Sequence, residues 1–234
     1  MKEKFNNTMM GVIYMKIVLQ DCTAIINNTS RYNNKQYDTV HVETLLVTDQ
    51  PIQQELSWYV PKGVSLPPEI AQLLKTQQLK MFPQREDTLL SGTEDIIDQS
   101  KQGNLAEVIS DASKLILRAT LEKKTLTPIA GASNVYMLSY DYKLYPLHDV
   151  DPNNNTFEFY IVLPFDGLEL AGNGRVQMTI LTPIQAQIDT NATKGIAHTG
   201  QEISEMVYDI PHTQRKAISF AWQQDPEFIV RYHY

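Results

Sequence analysis

Oxygen-bearing side chains recur at alternate positions in one short stretch of the chain. Four residues share this spacing: Asp149, Asp151, Asn153 and Asn155. Calcium loops use the same alternation, because Ca²⁺ takes about six to eight oxygen ligands. The stretch departs from an EF-hand loop, since Asn154 replaces the obligatory glycine and Tyr160 replaces the bidentate glutamate. A hairpin turn rich in Asp, Pro and Asn explains the same letters. We therefore predict no resident metal ion, with this turn as a weak calcium candidate.

Nucleophilic and histidine chemistry has no local motif in this chain. The five histidines form no His-x-His or His-x-x-x-His pair, and no Gly-x-Ser-x-Gly elbow is present. A serine could still meet His212 and Asp209 in the fold. Cys22 is the single cysteine, so no intrachain disulfide can form, and we expect it to be a buried apolar residue of a strand. Phosphate loops and dinucleotide fingerprints are missing. We predict a protein that is not an enzyme and has no cofactor, with a non-local active site as an alternative.

The charge balance argues against nucleic acid and anionic lipid as partners. The chain has 20 basic and 27 acidic residues, a net charge of −7. Residues 131–234 carry 6 basic and 12 acidic residues, so this part accounts for −6 of the total. Phosphate binding requires clustered Lys and Arg, and no stretch approaches the roughly 18 apolar residues of a membrane-spanning helix. We expect neither nucleic-acid nor membrane partners and a cytoplasmic or virion location.

Residues 1–65 have the composition of strands separated by polar loops. The apolar stretch Met9–Leu19 follows Lys2 and Lys4 and superficially resembles a signal peptide, but Lys16 interrupts its apolar run. The branched and aromatic residues of Gly11–Leu19 favour a β-strand instead. Two further strands are predicted at 37–48 and 56–60, because both runs are rich in β-branched or aromatic residues.

Residues 66–130 have helical signals. Pro67 and Pro68 are placed where a helix can begin, and apolar residues from Ile70 to Met81 mark one face. After Asn104, a capping residue, apolar side chains recur every three or four positions: Leu105, Val108, Ile109, Ala112, Leu115, Ile116 and Ala119. This pattern predicts an amphipathic helix of about 20 residues. Its apolar face could pack on its own sheet or on a neighbouring molecule.

Residues 131–234 alternate between apolar and polar side chains, with Asp-Pro, Asn and Gly turns between the runs. Six or seven strands are expected in this third segment, in an antiparallel arrangement. We therefore predict an α+β, mainly β chain: an antiparallel β-sandwich or barrel with a helical insertion in the middle. The first and third segments form either separate units or one sheet system.

Apolar residues in loops and terminal strands are the candidates for an interface with other subunits. Eleven residues are predicted for it: Met9, Val12, Tyr14, Trp58, Tyr59, Met81, Phe82, Phe228, Val230, Tyr232 and Tyr234. An alternative is a carbohydrate- or cell-surface-binding β-sandwich module. Its stacking platforms would be a strip of tyrosines near Tyr136, Tyr140, Tyr142 and Tyr145, or the tryptophans Trp58 and Trp222.

The alternation of long polar loops with β-rich segments, the single cysteine and the lack of catalytic motifs together resemble the structural proteins of tailed-bacteriophage virions. These are neck, tail, baseplate and capsid-decorating subunits. The resemblance covers the whole chain and rests on its composition and segment pattern rather than on a motif. It implies a homo-oligomer docked on other virion proteins, without catalysis, assembled in the host cytoplasm.

Overall fold

A computed structural model describes residues 15–147, 155–223 and 225–234 and is mainly β. These residues form fourteen strands: β1 (Lys16–Asn27), β2 (Asp38–Thr48), β3 (Ser57–Pro61), β4 (Leu121–Thr125), β5 (Thr127–Pro128), β6 (Val135–Leu144), β7 (Thr156–Val162), β8 (Glu169–Leu181), β9 (Gln187–Ile188), β10 (Lys194–Ala197), β11 (Glu202–Ile203), β12 (Met206–Ile210), β13 (Arg215–Trp222) and β14 (Pro226–His233).

The α-helices of the described residues follow β3 and precede β4. They are α1 (Pro68–Thr76), α2 (Glu86–Leu89), α3 (Ile96–Gln102) and α4 (Leu105–Ala119). The first helix ends before Met81, contrary to expectation, because Gln78 has a positive φ of 57° that a helix cannot continue through. The fourth is shorter than predicted. The residues after Thr120 form β4, which pairs with β3.

Seven strands form the larger sheet in the order β12-β13-β8-β1-β2-β6-β5. The segments 1–65 and 131–234 therefore contribute strands to the same sheet. The purely antiparallel arrangement expected from the sequence is wrong at one pair, since β1 and β8 run parallel. Parallel neighbours need a long crossover, and the whole chain from β2 to β7 supplies it.

A smaller sheet has the order β11-β10-β14-β7, with β9 also paired to β14. Strands β3 and β4 form a separate two-stranded antiparallel sheet. Side chains alternate along these strands, so each sheet turns one face inward. Buried residues of both sheets belong to one apolar cluster, which includes Val42 and Met178 of the larger sheet and Phe159 of the smaller. A second apolar cluster joins the helices to the two-stranded β3–β4 sheet through Leu74, Leu117 and neighbouring residues.

Candidate functional site

An enclosed group of ionisable side chains surrounds Asp38, which is fully buried. Its Oδ2 accepts hydrogen bonds from the hydroxyls of Tyr232 at 2.7 Å and Tyr234 at 2.8 Å. Its Oδ1 accepts one from the backbone N–H of Ser30 at 2.9 Å. The ring of Tyr232 also stacks on Phe157, with 5.4 Å between centroids. One carboxylate is thus held by donors from two directions.

This Asp38 cluster joins the two sheets, because Asp38 begins β2 and Tyr232 lies on β14. Burial raises the pKa of both tyrosine hydroxyls, and the nearby Asp38 carboxylate raises it further. Both tyrosines therefore remain protonated donors. The carboxylate is closed to solvent and fully engaged, so the arrangement suits a structural tie between sheets.

A groove of about 300 Å³ lies beside the loop that connects β7 to β8. Pro164, Phe165 and Leu168 form much of its apolar lining, and Phe82 closes it from the helical side. Asp166 is engaged within the protein: its Oδ2 accepts a hydrogen bond from the backbone N–H of Arg85 at 3.0 Å.

Asp225 is the other carboxylate in the lining of this groove. Partial burial raises its pKa, Glu169 raises it further, and His198 acts in the opposite direction. The remaining polar lining residues are Gln84 and Thr88. A carboxyl with a raised pKa can donate a proton. The other lining carboxylate, Asp166, accepts the hydrogen bond from the Arg85 N–H, and the lining hydroxyl belongs to Thr88.

A smaller recess of about 130 Å³ lies beside β10 and β11. Lys194 and Glu202 line it and pair with each other at 2.7 Å. Within residues 15–147, 155–223 and 225–234, no group of three or more His, Cys, Asp or Glu side chains has the geometry of a metal site.

Polar and charged side chains fasten one side of α4 to the rest of the protein. Asp111 and Ser113 are buried in this helix. Lys114 pairs with Asp111 at 3.1 Å and also donates to the carbonyl of Ser91 at 2.8 Å. Arg118 lies 3.5 Å above the ring of Tyr59. The side of the helix that faces the protein is therefore largely polar, with Leu117 as its buried apolar residue.

The apolar face of α4 points away from this anchor. We call it the α4 stripe, and its residues succeed one another by three, four, three and four positions: Leu105, Val108, Ala112, Leu115 and Ala119. With about 3.6 residues per turn, these residues lie on the side of the helix opposite the buried Ser113 and Leu117. Leu105 is 69% exposed and Leu115 is 43% exposed. An apolar stripe at this spacing is the seam that helices use to pack against other helices.

A second exposed apolar surface lies at the edge of the larger sheet. We call it the β12 edge, and it comprises Met206–Ile210. Met206, Val207 and Tyr208 are 51%, 40% and 56% exposed, although their side chains alternate between the two faces of the strand. In the part of the chain that the structure describes, β12 pairs only with β13. The β12 edge and the helices lie toward opposite ends of the sheet order, since β3 and β4 pack beside β6.

Four of the predicted interface residues lie in the core, which corrects the expectation that they are exposed. Trp58 is 1% exposed, and its Nε1 donates to the carbonyl of Asp166 at 2.9 Å. Phe228, Val230 and Tyr232 are fully buried. The physical reason is that β14 has strand neighbours on both sides, so its alternating apolar residues form a core face rather than a free terminal strand.

The other described candidates are at most partly accessible. Tyr59 is half-buried beneath Arg118, and Phe82 is half-buried against the ring of Tyr160 at 5.7 Å. Met81 is 38% exposed. Tyr234 is half-buried through its bond to Asp38. These residues do not form one surface.

Six of the predicted site residues lie outside the described residues. They are Met9, Val12 and Tyr14 of the interface set and Asp149, Asp151 and Asn153 of the calcium candidate. Asn155 is described and its backbone carbonyl accepts a hydrogen bond from the N–H of Tyr234 at 3.3 Å.

The aromatic residues proposed as sugar-stacking platforms are mostly interior. Tyr136 is 8% exposed and Tyr140 is 3% exposed, and both belong to the main core, as does Trp58. Tyr142 and Trp222 are partly buried and pack against that core. A stacking platform needs an accessible ring face, so this alternative loses most of its candidate residues.

Sequence reasoning missed the β12 edge. The alternation of Met206, Tyr208 and Ile210 could have indicated a strand, but its exposure depends on its terminal place in the sheet. Asp209, considered above for a catalytic triad, pairs with Lys216 of β13.

No protein-family model matches the chain, and no curated protein is significantly similar to it. Within the described residues, no helix has the length and apolar character needed to cross a bilayer.

Proposed function

We propose that the chain is a non-enzymatic structural subunit of a larger protein assembly. The setting we infer is a phage virion, in which the subunit forms part of the neck, tail, baseplate or capsid surface. We further infer that its two sheets pack as a β-sandwich, with the helices between β3 and β4 as an insertion at one end. The shared apolar cluster of the two sheets supports this packing.

The outward orientation of the α4 stripe is the observation that carries the proposal. An isolated surface helix turns its apolar face toward its own core. Here the opposite side is anchored instead, by Lys114 to the carbonyl of Ser91 at 2.8 Å and by Arg118 to Glu86 at 2.8 Å. An exposed apolar face that is held in place by charged contacts marks an interaction site.

A second copy of the chain fits this stripe. The spacing of three and four residues is that of a helix packing seam, and the same α4 on another copy presents the same spacing. Ala112 lies at the centre of the stripe, where a small side chain lets two helix axes approach closely. A two-fold contact between identical helices is self-complementary by construction.

The two exposed leucines set the size of the effect. Burying an exposed leucine contributes about 2 kcal/mol, and Leu105 and Leu115 are 69% and 43% exposed. Their remaining surface therefore supplies about 2 kcal/mol per subunit and about 4 kcal/mol to a two-fold dimer, or roughly 1000-fold in affinity.

The test measures native mass by size-exclusion chromatography with light scattering. We expect the wild-type chain to exceed its monomer mass of 26.7 kDa. The double variant Leu105→Glu/Leu115→Glu should dissociate at concentrations roughly 1000-fold higher than the wild type while its subunit stays folded, because both side chains face outward. Ala106→Glu is the matched control, since it adds a charge to an exposed position of the same helix outside the stripe. A wild-type chain that is monomeric at every concentration, alone and with candidate virion proteins, refutes the proposal.

A further inference from the structure

The β12 edge is a weakly protected strand edge. Soluble proteins protect such edges with charged side chains, especially lysine, or with proline, a bulge or a very short strand, and the charged side chain of β12, Asp209, is paired with Lys216 of β13. The opposite edge of the same sheet follows this rule, because β5 has two residues and one of them is Pro128. The five residues of β12 include neither proline nor lysine, and the pairing with β13 has no register shift.

We propose that the β12 edge of one copy binds residues 9–14 of a neighbouring copy as an added β-strand. The inference rests on the proposed function, since both require copies of the chain to meet, but it uses a different surface. Main-chain hydrogen bonds from an added strand satisfy the open edge, and alternate side chains supply specificity.

The composition of residues 9–14 fits this edge. The run reads Met-Met-Gly-Val-Ile-Tyr and ends in three residues that favour strands. Its six residues match the five of β12 in length. Met206, Val207 and Tyr208 present apolar side chains on both faces of the edge strand, and an apolar added strand covers both.

Charge favours a parallel orientation of the added strand. Lys2 and Lys4 precede the apolar run, and Glu205 directly precedes β12. When both segments run in the same direction, the two lysines approach Glu205, whereas Glu202 is already paired with Lys194. An antiparallel strand places them instead beside Arg215, at the other end of the β12–β13 hairpin.

Chain length requires that the strand come from another copy. β12 is three strands away from β1 in the sheet order, or about 14 Å at a spacing of about 4.8 Å. Tyr14 is two residues from Lys16, the first residue of β1, and two residues span at most about 7 Å. The run 9–14 therefore cannot lie along its own β12. A contact between two different surfaces propagates head to tail and gives a ring or a filament.

Cysteine cross-linking tests the pairing between copies. Cys22 is the only native cysteine and is fully buried, so it stays silent. Val12→Cys protein mixed with Tyr208→Cys protein should oxidise to a covalent dimer on a non-reducing gel. Val12→Cys mixed with Asp141→Cys is the control, because the side chain of Asp141 is 79% exposed on a different strand. Equal cross-linking in both mixtures, or closure within single chains of Val12→Cys/Tyr208→Cys, overturns the proposal.

Peptide binding gives a second measurement that does not depend on oxidation. A chain lacking residues 2–14 should bind a fluorescent peptide of residues 1–14, and Tyr208→Lys in that chain should weaken binding at least tenfold. No binding of the peptide overturns the inference. If the truncated chain keeps the wild-type mass and loses it only with Leu105→Glu/Leu115→Glu, the β12 inference fails and the proposed function stands.

Discussion

Replacing Asp38 by Asn tests how the two sheets are held together. The substitution preserves shape and removes the charge that accepts hydrogen bonds from Tyr232, Tyr234 and the backbone N–H of Ser30. An asparagine has one acceptor oxygen and one donor amide. If its oxygen faces the tyrosines, its amide faces the Ser30 N–H, and the reverse orientation confronts the tyrosine hydroxyls with donors.

Two opposing effects set the magnitude. Burying the Asp38 charge costs desolvation energy, which the neutral variant recovers in part. Against this, hydrogen bonds to a charged group contribute about 1.5–3 kcal/mol each, and a buried donor left unpaired costs about 1–3 kcal/mol. Three donors converge on a fully buried carboxylate, so the losses exceed the gain. We expect Asp38→Asn to lower the free energy of unfolding by about 3 kcal/mol.

Urea unfolding followed by tryptophan fluorescence measures this change. Tyr234→Phe is the matched variant, since it removes a single donor and leaves the other two in place; it should cost about 1.5 kcal/mol. In a double-mutant cycle, Asp38→Asn and Tyr234→Phe should together cost less than the sum of their separate effects. A loss below 1 kcal/mol for Asp38→Asn, or additive effects in the cycle, would refute the reasoning.

Three further outcomes follow from buried groups and from one glycine. Burial raises the pKa of Cys22 to about 12, so a thiol reagent should modify it only in denaturant; rapid labelling of native protein contradicts this. The pKa of Tyr232 is raised in the folded state, so above a pH of about 10 the unfolded chain loses this proton while the folded chain keeps it. The free energy of unfolding is therefore retained below a pH of about 10 and falls above it by up to about 1.4 kcal/mol per pH unit for this group. A flat profile of alkaline unfolding counts against this prediction. Gly63→Ala should destabilise the fold by more than about 2 kcal/mol, because the added Cβ would overlap the backbone nitrogen of Lys143. Gly131 also has a positive φ but lies in open space, so Gly131→Ala should cost about 1 kcal/mol. Equal melting temperatures of the two variants would exclude the overlap.

Local patterns in the sequence predicted most strands and helices of the fold, but they did not predict which strands pair with each other. The alternation around Phe157 and Phe228 correctly indicated strands, because a half-buried strand has period two whatever pairs with it. The parallel pairing of β1 with β8 has no local signature. It depends on contacts between residues that are distant in the chain, and no short turn connects β1 to β8 that could indicate the pairing from sequence.

The interface predictions failed where apolar character was taken as accessibility. Trp58 and Tyr232 were predicted to be exposed because apolar residues of loops and terminal strands are candidates for an interface. Both are fully enclosed, since other elements pack over them. Conversely, Tyr208 is exposed because its strand is the last in the sheet. Position in the sheet decides accessibility, and position is a property of the whole topology rather than of a segment.

The orientation of α4 shows the same distinction within one helix. Its apolar periodicity predicted a helix, and the ordinary expectation is that such a face turns inward. The charged residues decide otherwise, because Lys114 and Arg118 find partners on α2 and its neighbouring loop only when the opposite side of the helix faces the protein. Burying the stripe in its own chain would leave Asp111 and its partner exposed and would separate Arg118 from Glu86. The polar contacts therefore fix which face remains free, and this uncovered apolar face is the one on which we propose that a second copy of the chain docks.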